Sequence, residues 1–87
     1  MKEYNKIIDV EKYEQIARRQ ISLIKEIEEE DTRRHDFTLK QDTQEENYYT
    51  LTKYYNGEQK TQIYNTIDVI AEHLKAIKQT LIDLKRK

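Results

Sequence analysis

Residues 31–57 read DTRRHDFTLKQDTQEENYYTLTKYYNG, and whether this stretch is helical decides the fold class. It contains no Pro, and its single Gly, the only glycine of the chain, stands at its far end at position 57. The strong helix breakers are therefore missing from its interior. No Glu or Gln follows Asp31 or Thr32 by three residues to complete a capping box. Glu29 and Glu30 precede Arg33 and Arg34 by four residues, the order that favours ion pairs along a helix. The stretch is expected to continue a helix. The alternative is a break near residues 31–35, giving a three-helix bundle.

Outward from this stretch, Asn56-Gly57 is the one firm stop, because Asn and Gly best tolerate positive φ and Gly commonly follows a helix end. Upstream, Asp9 offers a carboxylate to free N–H groups, with Ile8 and Tyr13 placed to clasp across it. Downstream, Ile63, Ile67, Ile70, Leu74, Ile77, Leu81 and Leu84 alternate spacings of four and three, the pattern of a seam packed along another helix. The expectation is all-α: one domain over residues 1–87, an antiparallel helical hairpin with unequal arms and coiled-coil-like packing. Its parts would be a helix over about 9–55, a turn at 56–57 and a helix over about 58–86.

Folding such a hairpin about the turn sets Ile63 near Leu51, Ile67 near Tyr48 and Ile77 near Phe37. Ile70, Leu74 and Leu81 then face glutamines and Arg34, while Ile16, Leu23 and Ile27 have nothing in their own chain to cover them. Buried apolar area is worth about 25 cal/mol per Å², so a chain this small gains by association. Ile16, Leu23, Ile27, Phe37, Ile70, Leu74, Ile77 and Leu81 are the expected partner-binding residues. The partner is a protein: another helical chain, or a second copy in a homodimer.

Composition agrees with association. At 87 residues and 36% hydrophobic, the chain has little with which to build a large core alone. Residues 1–47 carry nine basic and thirteen acidic side chains, residues 48–87 seven and four, and the formal net charge is −1. No global field draws the chain to nucleic acid or to an anionic membrane. The clusters Arg18-Arg19, Arg33-Arg34 and Lys85-Arg86-Lys87 are short and read as surface pairs. The absence of cysteine removes disulfides, thiolate metal sites and a thiol nucleophile. With no signal-peptide h-region and no membrane-length apolar run, the expected location is the cytoplasm, or outside it by a route other than general secretion.

No enzyme is expected. Carboxylates fall in solvated runs such as Glu28-Glu29-Glu30-Asp31, and neither a phosphate-cradling glycine loop nor a Ser-His-Asp arrangement is present. His35 and His73 lie on different arms and would not meet, so neither a metal nor a cofactor is expected. Tyrosine is the compositional oddity, with seven copies. Tyr48, Tyr49, Tyr54, Tyr55 and Tyr64 all fall near the turn, where exposed rings favour a contact surface.

The aromatic-x-Gly turn Tyr55-Asn56-Gly57 and the Tyr-x-x-x-Asp spacing of Tyr64 and Asp68 resemble the Trp-x-Gly family of small helical proteins exported by type VII secretion systems. Tyr stands here where that family has Trp, and the second motif falls early in the second helix. The unequal arms also look like the small helical partners of LXG toxins in Gram-positive bacteria. The resemblance implies an adaptor or targeting chaperone that binds a toxin's helical N-terminal domain, with Tyr64 and Asp68 linked to export. A dimeric assembly or regulatory coiled coil of a phage or mobile element is the alternative.

Overall fold

A computed structural model describes residues 8–86. The order of elements is α1 (Val10–Ile27), β1 (His35–Gln41), β2 (Tyr48–Tyr55), β3 (Gln59–Thr66) and α2 (Ile67–Lys85), with the strands in a three-stranded antiparallel sheet of order β1-β2-β3. The fold is α+β. It overturns the all-α expectation, both as a helical hairpin with coiled-coil packing and as a three-helix bundle.

The first helix ends at Ile27, far short of residue 55, and its C-cap Glu28 donates its N–H back to Ile24 C=O at 3.0 Å. From His35 the side chains alternate: His35, Phe37 and Leu39 turn inward, and Asp36, Thr38 and Lys40 are exposed. This period of two, with a β2 made largely of Tyr and Thr, suits a pleated surface and not a helix. Tyr55-Asn56-Gly57 does turn the chain, but between two strands. Asn56 and Gly57 have φ of 57° and 76°, and Glu58 N–H donates to Tyr55 C=O at 3.2 Å. Two adjacent positive φ values are what a tight β-hairpin of right-handed twist requires.

Leu51 pairs with Ile63, the neighbour expected from folding about residue 57, but across a β-ladder and not a helical seam. Phe37 pairs with Lys53 and not with Ile77. Between β1 and β2 the Asp42 carboxylate accepts from Gln44 and Glu45 N–H at 3.1 and 2.8 Å, an Asx-type turn that reverses the chain without glycine.

Both helices lie on the odd-numbered face of the sheet. Ala17 and Ile24 of α1, Leu39, Tyr49 and Leu51 of the sheet, and Ile67, Ile70, Ala71 and Leu74 of α2 form one core. Each fully buried Leu or Ile contributes roughly 1.5–3 kcal/mol relative to exposure. Asp9 caps α1 by accepting from Lys12 N–H at 3.1 Å, and α2 starts without a loop, Ile67 N–H donating to Asn47 C=O at 2.8 Å. At the other end, Lys85 Nζ reaches Asp31 Oδ1 at 2.8 Å. Ile8 lies beside Thr66 and Val69. The helices therefore run side by side in the same direction, and α2 doubles back over the sheet that precedes it.

Candidate interaction surface

The sheet has two edges, and backbone hydrogen bonding treats them differently. Asn56 N–H donates to Arg34 C=O and Asp42 N–H to Tyr48 C=O, each at 2.9 Å, so the even-numbered residues of β1 bond to β2 and the odd-numbered ones point their backbone groups outward. Two of these outward groups are taken by side chains of the first helix and its cap. His35 N–H donates to Glu28 Oε1 at 2.8 Å, and Leu39 C=O accepts from Arg18 Nη2 at 3.4 Å.

In the β2–β3 ladder the parity is reversed. Ile67 N–H bonds to Asn47 C=O, which makes the odd-numbered residues of β3 the inward-bonded set. The backbone groups of Lys60, Gln62 and Tyr64 then point away from the sheet. Among the described residues no backbone or side-chain group meets them, whereas Thr66 N–H is satisfied by Asn65 Oδ1 at 2.8 Å. An edge of this kind is a template for a further strand, and proteins commonly block such edges with charge, Pro or a bulge. Within Gln59–Thr66 the one charged residue is Lys60.

α2 follows β3 directly, and one flank of the helix is largely exposed. Val69, His73, Ala76, Thr80 and Leu84 recur at helical spacing and share one side of the helix. The three exposed large hydrophobics of the described residues are Tyr64 at 53%, Val69 at 44% and Leu84 at 58% exposed, so all lie on β3 or α2 and none on α1 or β1. His73, Ala76, Ile77, Thr80, Leu81 and Leu84 line a shallow hollow together with His35. The two histidines expected to stay apart thus border one hollow. Burial, followed by the nearby Lys53 charge, pushes the His73 imidazole below its ordinary pKa, and its Nε2 is buried without a hydrogen-bond partner.

The expected partner-binding residues divide by depth. Ile70 and Leu74 are fully buried in this chain's own core, and Ile16, Leu23, Ile27, Phe37, Ile77 and Leu81 are half-buried. Ile16, Phe37, Ile77 and Leu81 pack directly against that core. The sheet thus covers much of the surface that a two-helix fold would leave bare. Tyr55 packs against His35 with the rings tilted by 49° and their centroids 4.8 Å apart, and Asn56 and Gly57 form the exposed hairpin tip. Tyr64 and Asp68 straddle the junction of β3 and α2. Tyr64 stacks on Tyr48 at 5.1 Å, and burial, followed by the nearby Asp42 charge, pushes its phenol above the ordinary pKa.

Two titratable networks lie deeper. Tyr49 Oη donates to Glu14 Oε1 at 2.6 Å, and Glu14 Oε2 accepts from Arg18 Nε at 2.8 Å. Burial, then the Glu14 contact, pushes the Tyr49 phenol up to about 12, while the Tyr49 and Arg18 hydrogen bonds hold Glu14 below the usual carboxylate range. Glu28 Oε2 meets His35 Nδ1 at 2.7 Å, closing a two-point clamp between the end of α1 and the start of β1. Sequence reasoning missed both networks, because Glu14 and Tyr49 are 35 residues apart and only the fold joins them.

Among the described residues no group of three or more His, Cys, Asp or Glu is arranged to hold a metal ion, and no helix is long and apolar enough to cross a membrane. The type VII resemblance rested on two helices joined at Gly57, a place that β2 and β3 occupy here. Comparison with protein-family models, with curated proteins and with solved structures finds no match.

Proposed function

We propose that this chain is a non-enzymatic interaction module, an adaptor that receives a strand of another polypeptide along β3. The observation that carries the reading is the nearly uncharged edge at Lys60, Gln62 and Tyr64, whose outward backbone groups meet no described residue, set beside the apolar flank of α2, on a sheet whose opposite edge is capped at two points by Glu28 and Arg18. Strand addition draws affinity from main-chain hydrogen bonds, and the adjoining side chains select the partner. The titratable groups around the core support a binding role, because half-buried Glu14 is engaged by Tyr49 and Arg18, and buried Glu28 by His35. This keeps the expected adaptor role and moves its seat from helical seams to a sheet edge.

The test is amide hydrogen exchange with a synthetic peptide of residues 59–66 as probe. Adding the peptide should slow exchange at Gln62 and Tyr64 saturably, and Gln62→Pro, which removes an outward N–H and no ladder bond, should abolish the effect. If the Gln62 and Tyr64 amides of the dilute chain already exchange as slowly as that of Thr38, the edge is not open and the reading fails.

A further inference from the structure

We infer that the occupant of this edge is a second copy of the chain, its β3 antiparallel to the first about a two-fold axis through Ile63. The inference rests on the strand-addition reading and names its partner. Since the outward groups of β3 are even-numbered, self-pairing must set even residues opposite even ones. An axis at Ile63 does so. It places Gln62 opposite Tyr64 of the second copy, Lys60 opposite Thr66, and the two Ile63 side chains facing each other on the helix-covered side. No like charges oppose one another, and a two-fold contact requires such a self-complementary pattern.

The helix layer gives an independent argument. α2 reverses over β3, so that Leu84 borders the same hollow as Gln59 and Thr61 near the start of that strand. From the β3–α2 junction back to Ile63 is about 12 Å at roughly 3.4 Å per strand residue. The same distance along a helix is about eight residues. Residue 75 or 76 therefore lies above the axis. On the exposed flank that residue is Ala76, small enough to let two helices approach. The stripe is then matched end to end, Val69 of one copy to Leu84 of the other and His73 to Thr80.

The stripe itself carries no Lys, Arg, Asp or Glu; Lys75 and Lys78 fall on other sides of the helix, while Glu72 and Asp83 border the stripe beside Ala76. A formal net charge of −1 adds almost no repulsion between copies. The same contact would cover Tyr64, Val69 and Leu84, the three large hydrophobics left exposed in the single chain. The low charge of both strand edge and helix stripe favours a second copy over a partner recognised by charge.

The chain has no cysteine of its own, so one introduced thiol reports the contact directly. Under mild oxidation Ile63→Cys should convert mostly to a disulfide-linked dimer, while Lys60→Cys, opposite Thr66 of the second copy, should remain mostly uncrosslinked. Ala76→Cys, on the exposed helix flank, should crosslink as well and does not depend on the sheet tolerating a change at Ile63. Sedimentation of the unmodified chain should give a dimer mass that Ala76→Glu shifts to monomer without altering the circular dichroism. A dimer that ignores Ala76→Glu and fails to crosslink at positions 63 and 76 overturns the inference. A monomer up to millimolar concentration whose Gln62 and Tyr64 amides exchange freely also overturns it but leaves strand addition standing. A monomer with those amides protected overturns both.

Discussion

The two edge strands of this sheet share one central strand and similar lengths, yet β1 is capped at two points by side chains and β3 is open at Lys60, Gln62 and Tyr64. On β1 the outward His35 N–H goes to Glu28 and the outward Leu39 carbonyl to Arg18. On β3 the corresponding groups of Lys60, Gln62 and Tyr64 meet no described residue. The difference lies in what precedes and follows each strand. α1 reaches β1 through a loop, which lets the helix lie along that edge and lend it side chains. α2 begins at the residue after β3, so it must climb directly over the sheet and cannot guard its own strand's flank. The lesson is that a tight strand-to-helix junction leaves an edge exposed, whereas a loop of several residues allows it to be capped in part.

Five measurements break or sharpen this contrast. Both edges hang on β2, so Leu51→Ala, at a fully buried site, should cost about 2–5 kcal/mol in chemical denaturation. A loss under about 1 kcal/mol would mean that the central strand does not anchor them. Glu28→Ala should cost about 1–3 kcal/mol and accelerate exchange at the His35 amide, because it removes a buried acceptor held by two hydrogen bonds. Gln62→Pro on the other edge should change stability by under about 0.5 kcal/mol. Equal costs at Glu28 and Gln62 would erase the distinction.

Acid should act through the groups on the two sides at different pH. The His73 pKa is lowered in the folded chain, so the unfolded state binds more protons. The His73 contribution is complete above the ordinary value of 6.5 and is lost as pH falls below it toward the folded value. Glu14 has a depressed pKa as well, and its contribution is present above 4.5 and lost as pH falls through the folded value. Denaturation midpoints should therefore begin to fall just below pH 6.5, and His73→Gln should remove that first decline while leaving the one below 4.5. A small effect is also expected for Arg18→Ala. Its side chain is 53% exposed, so its loss should cost less than about 1 kcal/mol. A larger loss would make Arg18 a main lock on the β1 edge and not a minor one.

Parts of this arrangement are legible in residues 31–57 and parts are not. The alternation His35-x-Phe37-x-Leu39 is a strand signal, as is Asn-Gly between Tyr- and Thr-rich runs, and both point away from a continuous helix. They are masked because β2 carries tyrosines on both faces. Tyr48, Leu51 and Tyr55 are therefore spaced as well for a helix stripe as for a strand, and the apolar stripe of α2 continues their register through Ile63. The candidate surface is less legible still. Gln59–Thr66 is polar and unremarkable as a sequence, and its interest lies in the direction of its backbone groups, which no side-chain pattern encodes.

By itself the sequence determines the turn at Asn56-Gly57, the apolar face of residues 67–81 and, through the turn, that Ile63 lies opposite Leu51. These follow from local conformational preference and from chain geometry about a fixed reversal, which hold whatever the secondary structure. Only the tertiary structure decided that the reversal joins strands, that Glu14 meets Tyr49, and that helix-borne side chains cap one sheet edge at two points while none of the described residues caps Lys60, Gln62 and Tyr64 on the other. Hydrogen-bond parity and the packing of distant segments depend on where every element sits, and short-range patterns carry no information about that.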